Sequence, residues 1–297
     1  MPLQFSQVCE GIYALQGGSN VGFIVQEGKA LLVDMGMDDD AARRAIRCLG
    51  ELDAVPVGLV ITHAHADHFG GAAAFVRRTG APVFASALEA AIIRHPILEP
   101  ITLYGGASPP PTLRQKFLLA SPCPVTQEVE PGPLSVGGIS VEVVPLPGHA
   151  PAQMGLVVGD VLFCADAYFP QDVLARHGIP FFYDFDTALE TLEWLRQTKY
   201  RAYLAGHGPW RAEVRDVAGA NQGRLLEIRA WVREAVREAR ETEALVAGLA
   251  QRYGLHLTTP TQFVLTRGSL LAVLSSLVAD GEVAAALDGD RLVWRRA

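Results

Sequence analysis

Residues 62–71 read "THAHADHFGG" and follow directly on the apolar run "VGLVI" (57–61). Three histidines (His63, His65, His68) and Asp67 fall within six positions of a 297-residue chain that holds only eight histidines. The apolar run reads as a buried strand, and "ADHFGGAAAFVRRTG" (66–80) as a helix ending at a glycine. On an extended segment alternate side chains share a side, so His63 and His65 converge there. Asp67 and His68 come where the chain turns into helix, and they point elsewhere. Neutral imidazole suits zinc, iron and similar metals, and carboxylate adds a hard oxygen ligand. Two pairs of ligands on one short loop can therefore seed two neighbouring metal sites. A lone histidine is ordinarily a packing or surface residue, but this density between strand and helix is hard to explain as packing.

One loop cannot complete a metal centre, and the missing ligands stand at other strand ends. His149 follows the strand-like "VEVVPL" and a Pro–Gly turn, Asp166 ends "VLFCAD", His207 ends "RAYLAGH", and Asp34 ends "KALLVD". Each alone is an ordinary polar loop residue; together, at repeated strand-to-loop junctions, they point to one edge of a sheet structure. His95 and His256 lack this context and read as structural or surface residues, while His177 in "ARHGIPFFYD" is placed to border a pocket.

Around these junctions the chain alternates strand-like and helix-like segments. "GIYALQ", "VGFIVQ" and "KALLVD" form an opening antiparallel meander, and "DDDAARRAIRCLGEL" a helix with an aspartate at its N-cap. "PVFAS", "ISVEVVPL", "GLVVGD", "VLFCAD" and "RAYLAGH" supply further strands, and "ALEAAIIRH" and "DTALETLEWLRQT" further helices. Strands with helices on their faces predict a layered α/β sandwich over residues 1–218. Between Pro96 and Pro133 proline and glycine loosen the pattern. The segment Ser86–Pro133 is expected to build much of a pocket wall, with Tyr104 and its neighbouring glycines as candidates.

From residue 219 the character changes to a small, mostly helical domain. "GRLLEIRAWVREAVREARETEALVAGLAQRYG" and "GSLLAVLSSLVADGEV" carry helical periodicity, and "VAAALDGDRLVWRR" reads as a hairpin turning at "DGD". Helices followed by a terminal hairpin make a winged-helix-like pattern. Residues 221–297 balance ten arginines against nine acids, so they lack the basic face of a nucleic-acid module.

The net charge of −7 likewise argues against a chain built mainly to hold polyanions. Four scattered cysteines (Cys9, Cys48, Cys123, Cys164) show no CxxC pair and read as free thiols. No apolar stretch looks long enough to span a bilayer, and the first residues lack a secretory pattern, so a cytoplasmic protein without membrane partners is expected.

"THAHADHFGG", followed in order by "PGHAPAQ", "FCAD" and "GHGP", closely resembles the metallo-β-lactamase superfamily over about residues 1–215. The tail resembles the extension of its lactamase-beta-2-like hydrolase subgroup. The resemblance implies a four-layer αββα sandwich holding two divalent metal ions, zinc first, with iron or manganese also suited. Residue by residue it implies that His63, His65 and His149 hold one metal. Asp67, His68 and His207 would hold the other, Asp166 would bridge them, and Asp34 would orient a ligand histidine. The implied activity is hydrolysis of a small ester, thioester or lactone by a metal-bridged hydroxide, with Asp67 orienting it. Tyr168, two residues past Asp166, is a candidate oxyanion donor, against an ordinary reading as a packed aromatic.

The same metals admit a phosphodiesterase or ribonuclease that uses the tail, and a mononuclear iron persulfide dioxygenase is a further alternative. The expected partner is a small-molecule substrate, with nucleic acid less favoured and a homodimer contact through the tail. No arginine or lysine cluster stands out for a glutathione carboxylate.

Overall fold

In the computed structural model, which describes residues 4–297, four strands form the opening meander. They are β1 (Gln4–Cys9), β2 (Ile12–Gln16), β3 (Val21–Gln26) and β4 (Lys29–Val33), each antiparallel to the next. The turn into β4 sits at Gly28, whose positive φ of 71° costs glycine nothing. Three parallel strands then extend the sheet: β5 (Val55–Val60), β6 (Val83–Ala85) and β7 (Gln127–Glu128). Their crossovers carry α1 (Asp39–Glu51), α2 (Ala66–Phe69), α3 (Ala72–Thr79), α4 (Ala87–Arg94) and α5 (Leu98–Leu103). Helix α1 is capped by Asp38, whose side chain accepts from the Asp40 amide, as the aspartate run implies.

A second, five-stranded sheet orders as β12-β11-β10-β9-β8. It comprises β8 (Gly132–Val136), β9 (Ile139–Pro145), β10 (Met154–Val158), β11 (Val161–Ala165) and β12 (Ala202–Ala205). The last is parallel to β11 and is reached through α6 (Gln171–His177) and α7 (Phe185–Gln197).

Strand periodicity divides the apolar side chains among three cores. Along β4, Ala30 and Leu32 pack toward α1 and α3, while Leu31 and Val33 pack toward the second sheet. Along β11, Val161 and Phe163 join that same inter-sheet core, while Leu162 and Cys164 face α7. Every residue of β11 is therefore buried, as a strand covered on both faces must be. The layers stack as helices, sheet, sheet, helices. At Gly22 the sheets come so close that a Cβ would run into the Phe163 ring.

Two expected helices divide. "ADHFGGAAAFVRRTG" splits into α2 and α3 at Gly70–Gly71, where a Cβ would strike the carbonyl oxygens of Met37 and Met35. These glycines let the chain press against the loop after β4, and the Met35 amide donates to the His68 carbonyl at 2.7 Å. Asp34 is thereby brought beside the histidine loop. In the tail, the long periodic stretch becomes α8 (Arg215–Ala235) and α9 (Thr242–Arg252). Helix α10 (Pro260–Ala279) and the hairpin β13 (Val283–Asp288)–β14 (Arg291–Arg296) complete it.

The expected boundary at residues 218/219 falls inside α8. Ala218, Leu225, Leu249 and Leu274 share one buried cluster with Leu192 of α7 and Leu162 of β11. By length and composition α10 is apolar enough to cross a bilayer, which corrects the reading that no segment is. Its apolarity goes into this cluster, through Leu270, Val273, Leu274 and Leu277.

Candidate metal centre

The strand ends assemble the site from below. Asp34 follows β4 with φ 59°, a left-handed conformation uncommon outside glycine but tolerated by aspartate. Its amide donates to Val60 O at 2.9 Å. Its carboxylate accepts from the Thr62 amide at 2.8 Å, from Thr62 Oγ1 at 2.9 Å and from His68 Nδ1 at 2.9 Å. Thr62 spends its proton on Asp34, so its hydroxyl oxygen accepts from His63 Nδ1 at 3.1 Å. The other two partners are backbone carbonyls: His149 Nδ1 donates to Phe181 O at 2.9 Å and His207 Nδ1 to Gly18 O at 2.5 Å. Each of these four rings thus directs an Nδ1 proton to its partner and, in its neutral form, keeps a lone pair on Nε2. His65 differs, turning Nδ1 to within 2.8 Å of His149 Nε2.

Those free atoms converge. Ligand atoms of His63, His65 and His149 lie within 4.8 Å of one another, as do those of Asp67, His68 and His207 and of His63, His68 and Asp166. Asp166 stands between the first two groups: Oδ2 is 3.5 Å from His149 Nε2 and 3.2 Å from His207 Nε2, and Oδ1 is 3.5 Å from His68 Nε2. Asp67 Oδ2 is 3.4 Å from His207 Nε2. His63 Nε2, His68 Nε2 and Asp166 Oδ1 are buried without a hydrogen-bond partner. Buried polar atoms rarely remain unpaired, and these three face one another across a gap of metal-ligand size. The donor set of imidazole nitrogens and carboxylate oxygens fits borderline divalent metals. Beneath the cluster, a Cβ at Gly206 would collide with Asp166 and His68, so glycine alone fits there.

The electrostatics divide the histidines. Burial, reinforced by neighbouring imidazoles, holds His63 and His65 well below the usual histidine range, and burial also lowers His149. Burial opposes charge on His68 and His207 too, but Asp166 and Asp67 prevail over it. His207 is pushed up to about 9 and His68 well above its usual value, while Asp166 stays ionised far below the carboxylate range.

Every site residue nominated from the sequence, except Tyr168, meets the others at this edge. Tyr168 is a correction: its ring is buried in the core with Cys164 and Tyr203 and does not line the cavity over the cluster. Its neighbour Phe169 takes that wall instead, the chain having left the extended conformation after Ala165. The cavity measures about 890 Å³. Of Ser86–Pro133 it receives Glu99, Phe117 and Leu118, whereas Tyr104 stays outside and exposed. His177 borders it, and so does His256, which the sequence context did not suggest.

Three supporting residues escaped the sequence reading. The buried Glu89 of α4 accepts from the Ala64 amide at 2.8 Å and the Ala152 amide at 2.9 Å, tying the histidine loop to the loop that carries His149. An acid amid "ALEAAII" was the available signal. Asn20 Nδ2 donates to Ala205 O at 2.9 Å and Gly208 O at 2.7 Å, holding the His207 loop. Glu99 Oε1 lies 3.8 Å from His65 Nε2, and burial pushes its carboxyl up to about 8, with Glu89 and Asp67 acting the same way. Glu89→Ala leaves the Ala64 and Ala152 amides without their acceptor. Denaturant unfolding of the metal-free variant is expected to show a loss of about 2–4 kcal/mol; an unchanged midpoint would contradict the clamp.

Comparison with known proteins places these features in context. The family described as "Metallo-beta-lactamase superfamily" matches residues 14–207. A crystal structure of a metallo-beta-lactamase family protein from Thermus thermophilus superimposes with a TM-score of 0.74 at 22% identity, covering 98% of this chain and 100% of that one. A hydroxyacylglutathione hydrolase from Shewanella pealeana is 26% identical over 162 residues, which are 54% of this chain and 42% of that protein. A probable metallo-hydrolase from Bacillus subtilis is 26% identical over 197 residues, 64% of this chain and 85% of that protein. The chain thus spans less than half the length of the Shewanella protein.

Proposed function

Because the chain belongs to the metallo-beta-lactamase superfamily, we propose that it is a metal-dependent hydrolase of a small ester, thioester or lactone. The observation that carries this reading is the pair of three-residue ligand groups joined at Asp166, with three buried donor atoms left unpaired between them. His63, His65 and His149 would hold one divalent ion and Asp67, His68 and His207 a second, with Asp166 shared and zinc the first expectation. Such ions lower the pKa of a water toward neutrality and polarise the oxygen of a carbonyl under attack.

The chain's own residues supply the rest. Asp34 fixes the tautomer of His68 directly and that of His63 through Thr62, and the Phe181 and Gly18 carbonyls do the same for His149 and His207. Asp67, which lines the cavity, is the carboxylate placed to take a proton as water adds to the carbonyl carbon. Phe169 and Phe181 bring apolar faces to the mouth of the cluster and restrict bulk water.

A carbonyl substrate is favoured over a phosphodiester by the charge of the cavity wall. Among the described residues, the only arginines lining it are Arg44 and Arg176, both at exposed positions, and Arg176 is paired with Asp172 at 3.4 Å. That wall offers no cluster of free cations to a nucleic-acid backbone. The relatives named hydroxyacylglutathione hydrolase support a thioester in particular. The test is a panel of esters, thioesters and lactones beside a single-stranded RNA, all with zinc-loaded protein. Turnover confined to carbonyl substrates is expected, and cleavage of RNA alone would overturn the reading.

The two raised histidines give metal binding a pH dependence. A proton on His207 competes with metal until the pH passes about 9, and His68 behaves alike. Zinc affinity, measured by competition with a chelator dye, is therefore expected to climb steeply from about pH 6 to pH 9, by roughly tenfold to a hundredfold per unit. A flat profile would mean that these histidines are not ligands.

A further inference from the structure

The side of the cavity built by the C-terminal segment is apolar. Leu255 and Leu257, between α9 and α10, and Leu265 of α10 line it together with Val173 and Ile179. The two hydroxyls in this wall and the Gln262 amide oxygen are already engaged. Ser269 Oγ donates to Pro180 O at 3.1 Å, and Thr266 Oγ1 donates to Gln262 O at 2.9 Å. The Gln262 amide oxygen accepts from the Thr258 and Thr259 amides at 2.8 and 3.1 Å, in the capping box of α10. Arg44, Arg176, His177 and His256 also border the cavity, but all four are exposed, which places them toward its rim.

Phe181 joins this wall to the histidines. Its ring centroid is 5.5 Å from that of His65 and 5.9 Å from that of His149, and a Cβ at Gly268 of α10 would lie 3.1 Å from the same ring. The apolar compartment therefore adjoins the place where a carbonyl would react.

We propose that this compartment holds an extended apolar acyl chain, so that the preferred substrates are medium-chain acyl thioesters or esters rather than acetyl or highly polar ones. The proposal rests on the hydrolase reading for its chemistry, and on the apolar side chains of the tail wall for its substrate class. A cavity of about 890 Å³ is within the range that takes drug-sized ligands. Where Leu255, Leu257, Leu265, Val173 and Ile179 face the cavity, each buried methylene is rewarded by roughly fourfold in kcat/KM.

The experiment compares S-acetyl- with S-dodecanoyl-N-acetylcysteamine as substrates of the zinc-loaded full chain, alongside calorimetric titration with dodecanoate. The expected preference for the long chain is at least about a hundredfold. Leu265→Trp fills the compartment from α10 and Leu257→Trp fills it from the loop. Either folded variant should lose about tenfold or more on the dodecanoyl substrate and on dodecanoate affinity, with acetyl turnover within about twofold. Equal kcat/KM for the two chain lengths would overturn the proposal while leaving the hydrolase reading intact. If neither thioester reacts, the thioesterase reading falls, and dodecanoate binding that the tryptophans weaken would still support the compartment. No dodecanoate binding in that case would overturn the compartment as well.

Discussion

Asp166→Asn is expected to lower kcat/KM at least about a thousandfold while the circular dichroism spectrum stays native. The substitution is isosteric, so the packing over Gly206 survives, but it removes the one charge that faces both ligand groups. An amide nitrogen or a weak amide oxygen would then stand 3.2 Å from His207 Nε2 and 3.5 Å from His149 Nε2, where a shared anionic ligand is required. Metal content should fall with activity, because the two groups lose their common member. Full activity in a folded Asp166→Asn protein would exclude the shared-ligand arrangement.

Asp34→Ala carries the second large effect, and it acts at a distance from the substrate. The carboxylate satisfies the Thr62 amide, the Thr62 hydroxyl and His68 Nδ1 at once, and it is 3% exposed. Its loss strands those donors in the core and frees His68 to change tautomer. Alanine is also less tolerant of φ 59° than aspartate. A loss of about 3–5 kcal/mol in stability and of roughly ten- to a hundredfold in zinc affinity is expected. Asp34→Asn, which keeps the conformation and part of the hydrogen bonding, should recover some of the stability but little of the affinity. A variant that binds zinc normally would show that the orientation of His68 does not matter.

The metal-type side chains were legible because they are dense and because of where they fall. Three histidines and an aspartate in six residues have few structural explanations, and His149, Asp166, His207 and Asp34 each follow an apolar run whose end had to lie at a sheet edge. The groups that hold this cluster in place were not legible. Glu89 and Asn20 act on backbone amides and carbonyls far along the chain, and no spacing announces which loop a buried acid will clamp. Tyr168 was misleading for a related reason: proximity in sequence to Asp166 does not fix the side of the strand end it faces. The tail posed the opposite difficulty. Its helices and hairpin could be read from periodicity, yet α10 lies over the cavity through contacts with Phe181 that only the folded chain reveals.

On the proposed reading, seven residues of this chain would hold two divalent metal ions about Asp166. Elemental analysis of protein purified without added metal, beside a His149→Ala control, tests it most directly. About two equivalents of zinc or another divalent metal per chain, clearly reduced in the variant, is the expected result. One equivalent or less in the wild type, unchanged by His149→Ala, would contradict the account.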